Sequence, residues 1–437
     1  MGHLAGKDVF SALGQKLDSL QVRTPNDQAL RAILAELYTA REAEVVAAMP
    51  STFSSTARIS RLTDIAEAEL EPVLEGLCQK GLILDVWFER DRIYRYLPSP
   101  FVIGVFELTM MRTAPDDDHR RRARLFHDYM GSFLAANFAD GQQVSVARTL
   151  PHEGARPAGS HVEILDYERA SALVEQASKF AVGACSCRHE KHHLGTKECD
   201  IPIESCTTLG HAADFVIRRG LSREIDRAQM KDRIAQSREQ GLVLNADNVQ
   251  QQATFICHCC SCCCNLLLGI RRSGYPNTVV SASVCARPDP AKCNGCGQCV
   301  AACPIEAIEL RRPTEDASRK LARPRVDEAV CLGCGVCVVR CSTGAMGLDQ
   351  RQRRVFHPAT TFERVMLMSL ERGNLQDQLL DNPNSKTEAF GRALLGGFLR
   401  LRPVKRALVS DALRSRFLQS LVGAARRQPR TDAISRL

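Results

Sequence analysis

Between residues 26 and 98 the apolar positions recur first at helical spacing and then at strand spacing. Asp27–Tyr38 reads as a helix, and Thr39 is placed to cap a second one, Ala40–Met49, with Glu42 three residues on as the reciprocal partner of a capping box. A short helix over Ala57–Thr63 follows. Glu67–Lys80 carries Leu70, Val73, Leu74 and Leu77 on one face and ends at Gly81. Leu82–Phe88 and Ile93–Leu97 then flank Glu89–Arg92, which reads as a two-stranded wing. The pattern predicts a winged helix over residues 26–98.

Residues 99–180 read as mixed α/β. A helix is expected over His119–Ala139, extended chain over Gln143–Leu150 and Val162–Tyr167, and helix again over Glu168–Gln176. Phe180–Gly183 is a short apolar run, and His152–Ser160, with its Gly and Pro, reads as a linker. Helices are expected within 181–285 at Gly210–Arg219 and Ser222–Gln240. Residues 286–350 form a separate cysteine-patterned unit. Residues 351–437 read as helical and basic, broken at Asn382–Ser385, Gly396–Gly397 and Pro403. The whole is an α+β multidomain chain, and its 437 residues suffice for several cores.

Cysteine changes this picture most. The chain has 20, and all but Cys78 fall between Cys185 and Cys341. A disulfide scaffold is usually short and secreted. The start, Met1–Gly14, lacks the apolar core of a signal peptide, and the longest apolar stretch, Phe101–Met111, is short for a bilayer and contains Glu107. A cytoplasmic chain with reduced thiols is expected, and clustered cysteines then read as metal ligands. Cys78, beside Leu77, reads as plain core.

The last cysteines form an internal repeat. Cys293-Asn-Gly-Cys296-Gly-Gln-Cys299-Val-Ala-Ala-Cys303-Pro304 aligns with Cys331-Leu-Gly-Cys334-Gly-Val-Cys337-Val-Val-Arg-Cys341-Ser342. Three cysteines on one short loop reach three corners of an iron–sulfur cubane, and the fourth heads away to ligate the other cube. The expectation is a bacterial-type ferredoxin unit with two [4Fe–4S] clusters. Cys293, Cys296, Cys299 and Cys341 are assigned to one, and Cys331, Cys334, Cys337 and Cys303 to the other. Two zinc sites would instead pair separated CxxC units. Ser342 departs from the proline that follows the fourth cysteine in the usual pattern.

Two further groups precede this unit. The first is Cys185-Ser-Cys187-Arg188 with Cys199 and Cys206. The second is Cys257, Cys259, Cys260, Cys262, Cys263 and Cys264 within one short run. Adjacent thiolates repel, so a cation is their natural neutraliser. His189, His192, His193 and His258 add imidazoles to the candidate ligands. Together the two groups are expected to hold at least one additional iron–sulfur cluster, with a structural zinc site or a reactive dithiol region as alternatives.

Over roughly residues 30–350 the chain resembles the bacterial and archaeal 4Fe–4S dicluster-domain proteins that join a winged helix, a CxCR segment, a CxCCxCCC-like segment and a ferredoxin unit. The matching pieces are Lys80-Gly81-Leu82-Ile83, Pro100–Gly104, Cys185-Ser186-Cys187-Arg188 and Ile256–Cys264. The resemblance implies electron transfer in company with oxidoreductases. It supplies no counterpart for Cys285.

Charge narrows the partners. Glu67, Glu69, Glu71 and Glu75 stand against Lys80 alone on the candidate recognition helix, and Ala57–Thr63 adds only Arg58 and Arg61, which argues against DNA. A packing or dimerisation module is expected instead. The net charge is +8, and residues 391–437 carry 11 Lys and Arg against 2 Asp. Arg400–Arg430 places Arg400, Arg402, Lys405, Arg406, Arg414, Arg416, Arg426 and Arg427 among Val404, Leu408, Phe417 and Leu421, so this basic tail can pack on its own protein, dock on a partner or lie on an anionic membrane surface. Arg311, Arg312, Arg319, Lys320, Arg323 and Arg325, between the repeat halves, form either a solvated loop or a patch for an acidic redox partner protein. No glycine-rich nucleotide loop and no GxSxG motif is present. Relay of low-potential electrons is the leading expectation. The alternatives are an oxidoreductase with a catalytic metal cluster in the middle region, and a redox-sensing regulator.

Overall fold

The computed structural model describes residues 2–112, 116–137, 144–155, 166–274, 279–311, 322–352, 355–382 and 385–401, with positions 403, 404, 408 and 417 beyond. Near the N-terminus the helices start and stop on their caps. The Thr39 hydroxyl accepts from the Glu42 N–H while the Glu42 carboxylate accepts from the Thr39 N–H, and helix Ala40–Ala48 begins there. Helix Glu67–Lys80 buries Leu70, Leu74, Leu77 and Cys78 and stops at Gly81. Ile83–Phe88 and Ile93–Pro98 pair as an antiparallel hairpin. A further helix, Gly2–Asp18, packs against Ala40–Ala48.

The hairpin is bolted to the cysteine-rich part by charge. Asp85, 2% exposed, accepts from Arg218 at 3.0 Å and from Arg219 at 2.9 Å, and Arg219 also reaches Glu75 on helix Glu67–Lys80. Asp85→Ala strands the buried Arg219 guanidinium with only a solvent-facing partner. It is expected to cost about 3 kcal/mol, since breaking a buried pair leaves an uncompensated charge. A lowered midpoint in chemical denaturation checks this, and an unchanged midpoint would dismiss the bolt.

The centre is a seven-stranded sheet in the order Ser222–Ile225, Phe180–Ala184, Glu204–Leu209, Phe255–Cys259, Val243–Asp247, Ala147–Leu150, Val279–Val280, antiparallel except for the last pair. Strands from 99–180 and from 181–285 therefore share one sheet. Two expectations change. Ser222–Gln240 is not one helix: Ser222–Ile225 pairs along the edge of Phe180–Ala184, and the helix starts at Arg227 behind a capping box of Asp226 and Gln229. Tertiary pairing here overrides local propensity. Asp166–Glu168 is a single 3₁₀ turn rather than strand, while 162–165 lie outside the described residues.

The repeat unit is held by two short antiparallel ladders, Val284–Pro288 with Met346–Gln350 and Ile308–Arg311 with Arg323–Val326. Helices Thr361–Arg372, Leu375–Leu379 and Lys386–Leu399 follow. The first returns to the start of the chain: Arg372 donates to the Asp18 carbonyl at 2.7 Å, and Asn374 to the Ser19 carbonyl at 2.8 Å. Its Arg364 forms a buried pair with Asp247 of the central sheet. Helix Lys386–Leu399 leaves Phe390, Leu394 and Phe398 exposed along one side. Of the basic tail, Arg402, Lys405, Arg406, Arg414, Arg416, Arg426 and Arg427 lie outside the described residues, as do Arg312, Arg319 and Lys320. No helix among the described residues is long and apolar enough to cross a membrane.

Candidate metal centres

The structure divides the ten middle cysteines into two sets. Strand Phe180–Ala184 leads into Cys185, which opens helix Ser186–His193 with Cys187 in its first turn. Cys206 sits on the neighbouring strand. Cys257 and Cys259 lie two apart on Phe255–Cys259, and strand alternation sends both to one face. Cys264 opens helix Asn265–Ser273. These six thiols close a ring: Cys185 contacts Cys187 and Cys206, Cys264 contacts Cys187 and Cys259, and Cys257 contacts Cys206 and Cys259.

Cys185 and Cys259 stand opposite each other in the ring, and both are held well below the ordinary thiol value. Thiol hydrogen bonds from Cys187 and Cys206 do this for Cys185, and those from Cys257 and Cys264 do it for Cys259, helped by the Asn245 amide at 3.3 Å. Cys187 and Cys206 are pushed up by the Cys185 thiolate they serve. Two thiolates in one buried ring call for positive charge. Arg188, wholly buried, supplies part of it: burial opposes its charge, and Cys185, Cys260 and Cys259 outweigh that burial. Its guanidinium is fixed by Ser205 and the His258 carbonyl.

The second set is Cys199, Cys260, Cys262 and Cys263, whose sulfurs all lie within 4.8 Å of one another. The imidazoles join neither set. His258 alternates to the opposite sheet face, where its ring meets Ser237 at 2.6 Å and Thr207 at 3.1 Å. His189 binds the Met110 carbonyl at 2.7 Å and shares a proton with His193 at 2.9 Å, and the His192 ring packs against that of His193.

The ring opens on a cavity of about 490 Å³. Phe106, Phe133, Phe215 and Phe362 make its walls largely apolar, with Asp247 and Glu107 among the polar groups. Burial pushes the Glu107 carboxyl up to about 7, although the Gly104 N–H donates to it at 2.8 Å. No signal in the sequence pointed to this cavity, because its walls come from segments more than two hundred residues apart.

In the repeat unit the last cysteine of each half lies near cysteines of the other half. Cys303 shares a small cavity of about 20 Å³ with Cys331, Cys334 and Cys337, next to Pro304 and Ile308. Cys341 lies in electrostatic range of Cys299, as does Cys293. Helices Gln298–Ala302 and Val336–Val339 present Cys299 and Cys337. Backbone N–H groups point at the sulfurs: Gly295 at Cys293 (3.4 Å), Ala307 at Cys303 (3.2 Å) and Met346 at Cys341 (3.4 Å). Such donors stabilise thiolates bound to iron and tune their potential. Ser342, in place of proline, donates to Gln298 at 3.2 Å. Burial raises the Cys334 thiol to about 12, so this pocket suits a thiolate only once a cation neutralises it. The donor set fits iron–sulfur cubanes. Cys285, buried on strand Val284–Pro288, is also pushed up by burial and joins neither group.

No curated protein and no solved structure matches the chain. The eight-cysteine repeat does find its kind: residues 292–345 match the family model described as the 4Fe-4S dicluster domain, and the chain thus carries an iron–sulfur domain of that type.

Proposed function

We propose that the protein is an electron-transfer protein in which two [4Fe–4S] clusters, on Cys293, Cys296, Cys299 and Cys341 and on Cys331, Cys334, Cys337 and Cys303, connect a redox partner to a further iron–sulfur centre on the six-thiol ring. Bound cubanes supply one-electron chemistry at low potential. The observation that carries the reading is continuity: Cys259 and Cys264 of the ring share one apolar core with Cys299, Cys331, Cys334 and Cys337. The two ends of this core differ in exposure. Cys296 faces solvent, whereas Cys331, Cys334 and Cys337 are buried towards the central sheet. The His152 N–H donates to the Cys334 carbonyl at 3.0 Å and locks that loop onto the sheet. An exposed entry at the Cys296 side and a buried exit towards the ring is the arrangement a relay needs.

In this reading residues 26–98 act as a winged helix turned to packing. Glu75, on helix Glu67–Lys80, is engaged by Arg219 of the cysteine-rich part. A second reading rests on the cavity. A metal centre facing about 490 Å³ of largely apolar space has room for a small substrate, which would make the ring a catalytic centre fed by the ferredoxin unit.

Iron and sulfide per chain on anaerobically purified protein, with EPR of the reduced sample, test the proposal. Two cubanes account for about eight irons. A clear excess, with a reduced signal beyond those of two cubanes, is expected. A count of about eight would leave the ring without a cluster and overturn the relay as drawn.

A further inference from the structure

The four thiols outside the ring have dimensions of their own. Cys199 Sγ lies 3.6 Å from Cys260 Sγ, Cys262 Sγ lies 3.8 Å from Cys260 Sγ, and Cys262 Sγ lies 3.4 Å from Cys263 Sγ. A tetrahedral zinc with Zn–S bonds of about 2.3 Å holds its sulfurs about 3.8 Å apart along each edge. Thiolates on different irons of a cubane stand wider, because a whole iron–iron edge separates their points of attachment. The same chain offers the comparison. Among the described residues no other group of three or more Cys, His, Asp or Glu side chains gathers within 4.8 Å, so the ferredoxin sets and the six-thiol ring are all more open.

We propose that Cys199, Cys260, Cys262 and Cys263 bind one zinc ion as a closed four-thiolate site, separate from the iron–sulfur centres. The inference concerns a different set of thiols from the relay and stands without it. Four thiolates would complete a tetrahedral shell, and Cys260 and Cys263 also border the cavity onto which the ring opens. Cys260 and Cys263 are buried, and Leu242 and Ile201 pack over the group. The surroundings supply charge for a site that would carry two negative charges with zinc bound. Arg188 hydrogen-bonds Cys260, and Lys197 holds the Cys199 carbonyl. Four thiolates in a closed tetrahedron suit a borderline-soft ion without redox chemistry, and such sites hold chain segments together. The segment held here is the turn after strand Phe255–Cys259. Cys260, Cys262 and Cys263 face the zinc site, while Cys257, Cys259 and Cys264 on either side of them face the ring. Fixing the turn at three points, with Cys199 from a remote loop as the fourth, aims the three ring thiols.

The test is made on the intact chain. Zinc, iron and sulfide are counted together on protein purified without chelators, and the zinc environment is read by X-ray absorption. The expected result is about one zinc per chain with four sulfur neighbours at about 2.3 Å. In Cys260→Ala with Cys263→Ala the zinc should fall to background while iron in the ferredoxin unit is retained. Iron in place of zinc, a nitrogen or oxygen neighbour in the zinc shell, or a double variant that keeps its zinc would each overturn the proposal. Should the variant not fold, the absorption spectrum of the wild-type protein decides alone. One zinc with only about eight irons would support this site and remove the ring cluster. Excess iron with no zinc would do the reverse.

Discussion

Cys259→Ala is expected to remove the ring centre completely and leave the two ferredoxin cubanes in place. Cys259 occupies the middle of the ring's far side, between Cys257 and Cys264, and it is one of the two positions where the structure already favours a thiolate. Asn245, whose amide donates to its sulfur, would face a void lined by a methyl group. Iron per chain should fall to about eight, the content of two cubanes, and the additional reduced EPR signal should vanish. Cys264→Ala should do the same, because it breaks the ring one position further on. Cys78→Ala, in the apolar core of the N-terminal helices, should change neither. Full iron with an unchanged spectrum in Cys259→Ala would show that Cys259 is not a ligand of the additional centre. Loss of the cubane signals as well would show that ring and ferredoxin unit assemble as one.

The partition behind this experiment was only half legible in the sequence. That Cys257 and Cys259 share a face follows from strand alternation, once Phe255–Cys259 is known to be a strand. What spacing does not encode is which of Cys185, Cys187, Cys199 and Cys206 meets them. Cys199 is only seven residues from Cys206, yet its sulfur gathers with those of Cys260, Cys262 and Cys263, while Cys206 meets Cys185 and Cys257. The grouping proposed for the ferredoxin cysteines is easier to read because it is local: three of each proposed set of four lie within seven residues, and the repeat suggests the fourth.

The fold shows the same division. Helix Glu67–Lys80, its stop at Gly81 and the capping box at Thr39 and Glu42 are local features, and the structure has them where the sequence places them. Of the central sheet, Ala147–Leu150 falls within a stretch read as extended, and most of the other strands went unread. All five residues of Phe180–Ala184 and of Val243–Asp247 are buried, so neither strand shows the polar–apolar alternation that betrays a half-exposed one. Val243–Asp247 even ends in Asn245 and Asp247, polar residues that suggest a turn. Asn245 is committed to Thr149 at 2.9 Å and to Cys259, and Asp247 to Arg364, so their polarity serves buried partners rather than solvent. Ser222–Ile225, short and mostly exposed, becomes a strand only because the edge of Phe180–Ala184 is there to pair with it.

The loop Cys331-Leu332-Gly333-Cys334 offers the sharpest test of how the backbone builds a cubane site. Gly333 has φ 71°, and a Cβ added there would lie 2.1 Å from the Val284 carbonyl oxygen and 3.1 Å from the Ala282 Cβ. Neither neighbour can yield. Val284 begins the ladder to Met346–Gln350, and the Ala282 N–H is bonded to the Leu332 carbonyl at 2.9 Å. Gly333→Ala therefore meets two costs. The left-handed backbone costs a residue with a side chain about 1–2 kcal/mol, and forcing a methyl into filled space adds about 1–3 kcal/mol. Gly344 has nearly the same φ, 64°, with nothing within 4 Å of an added Cβ, so Gly344→Ala meets the first cost alone. The expected outcome is a graded pair. Gly344→Ala lowers the unfolding midpoint slightly and keeps its iron. Gly333→Ala lowers it further and loses up to half of the ferredoxin iron, because the displaced loop carries both Cys331 and Cys334. Equal midpoints and equal iron in the two variants would mean that the loop can move off Val284 freely. In that case the close approach of Gly333 to the strand is not what sets the spacing of these two ligands.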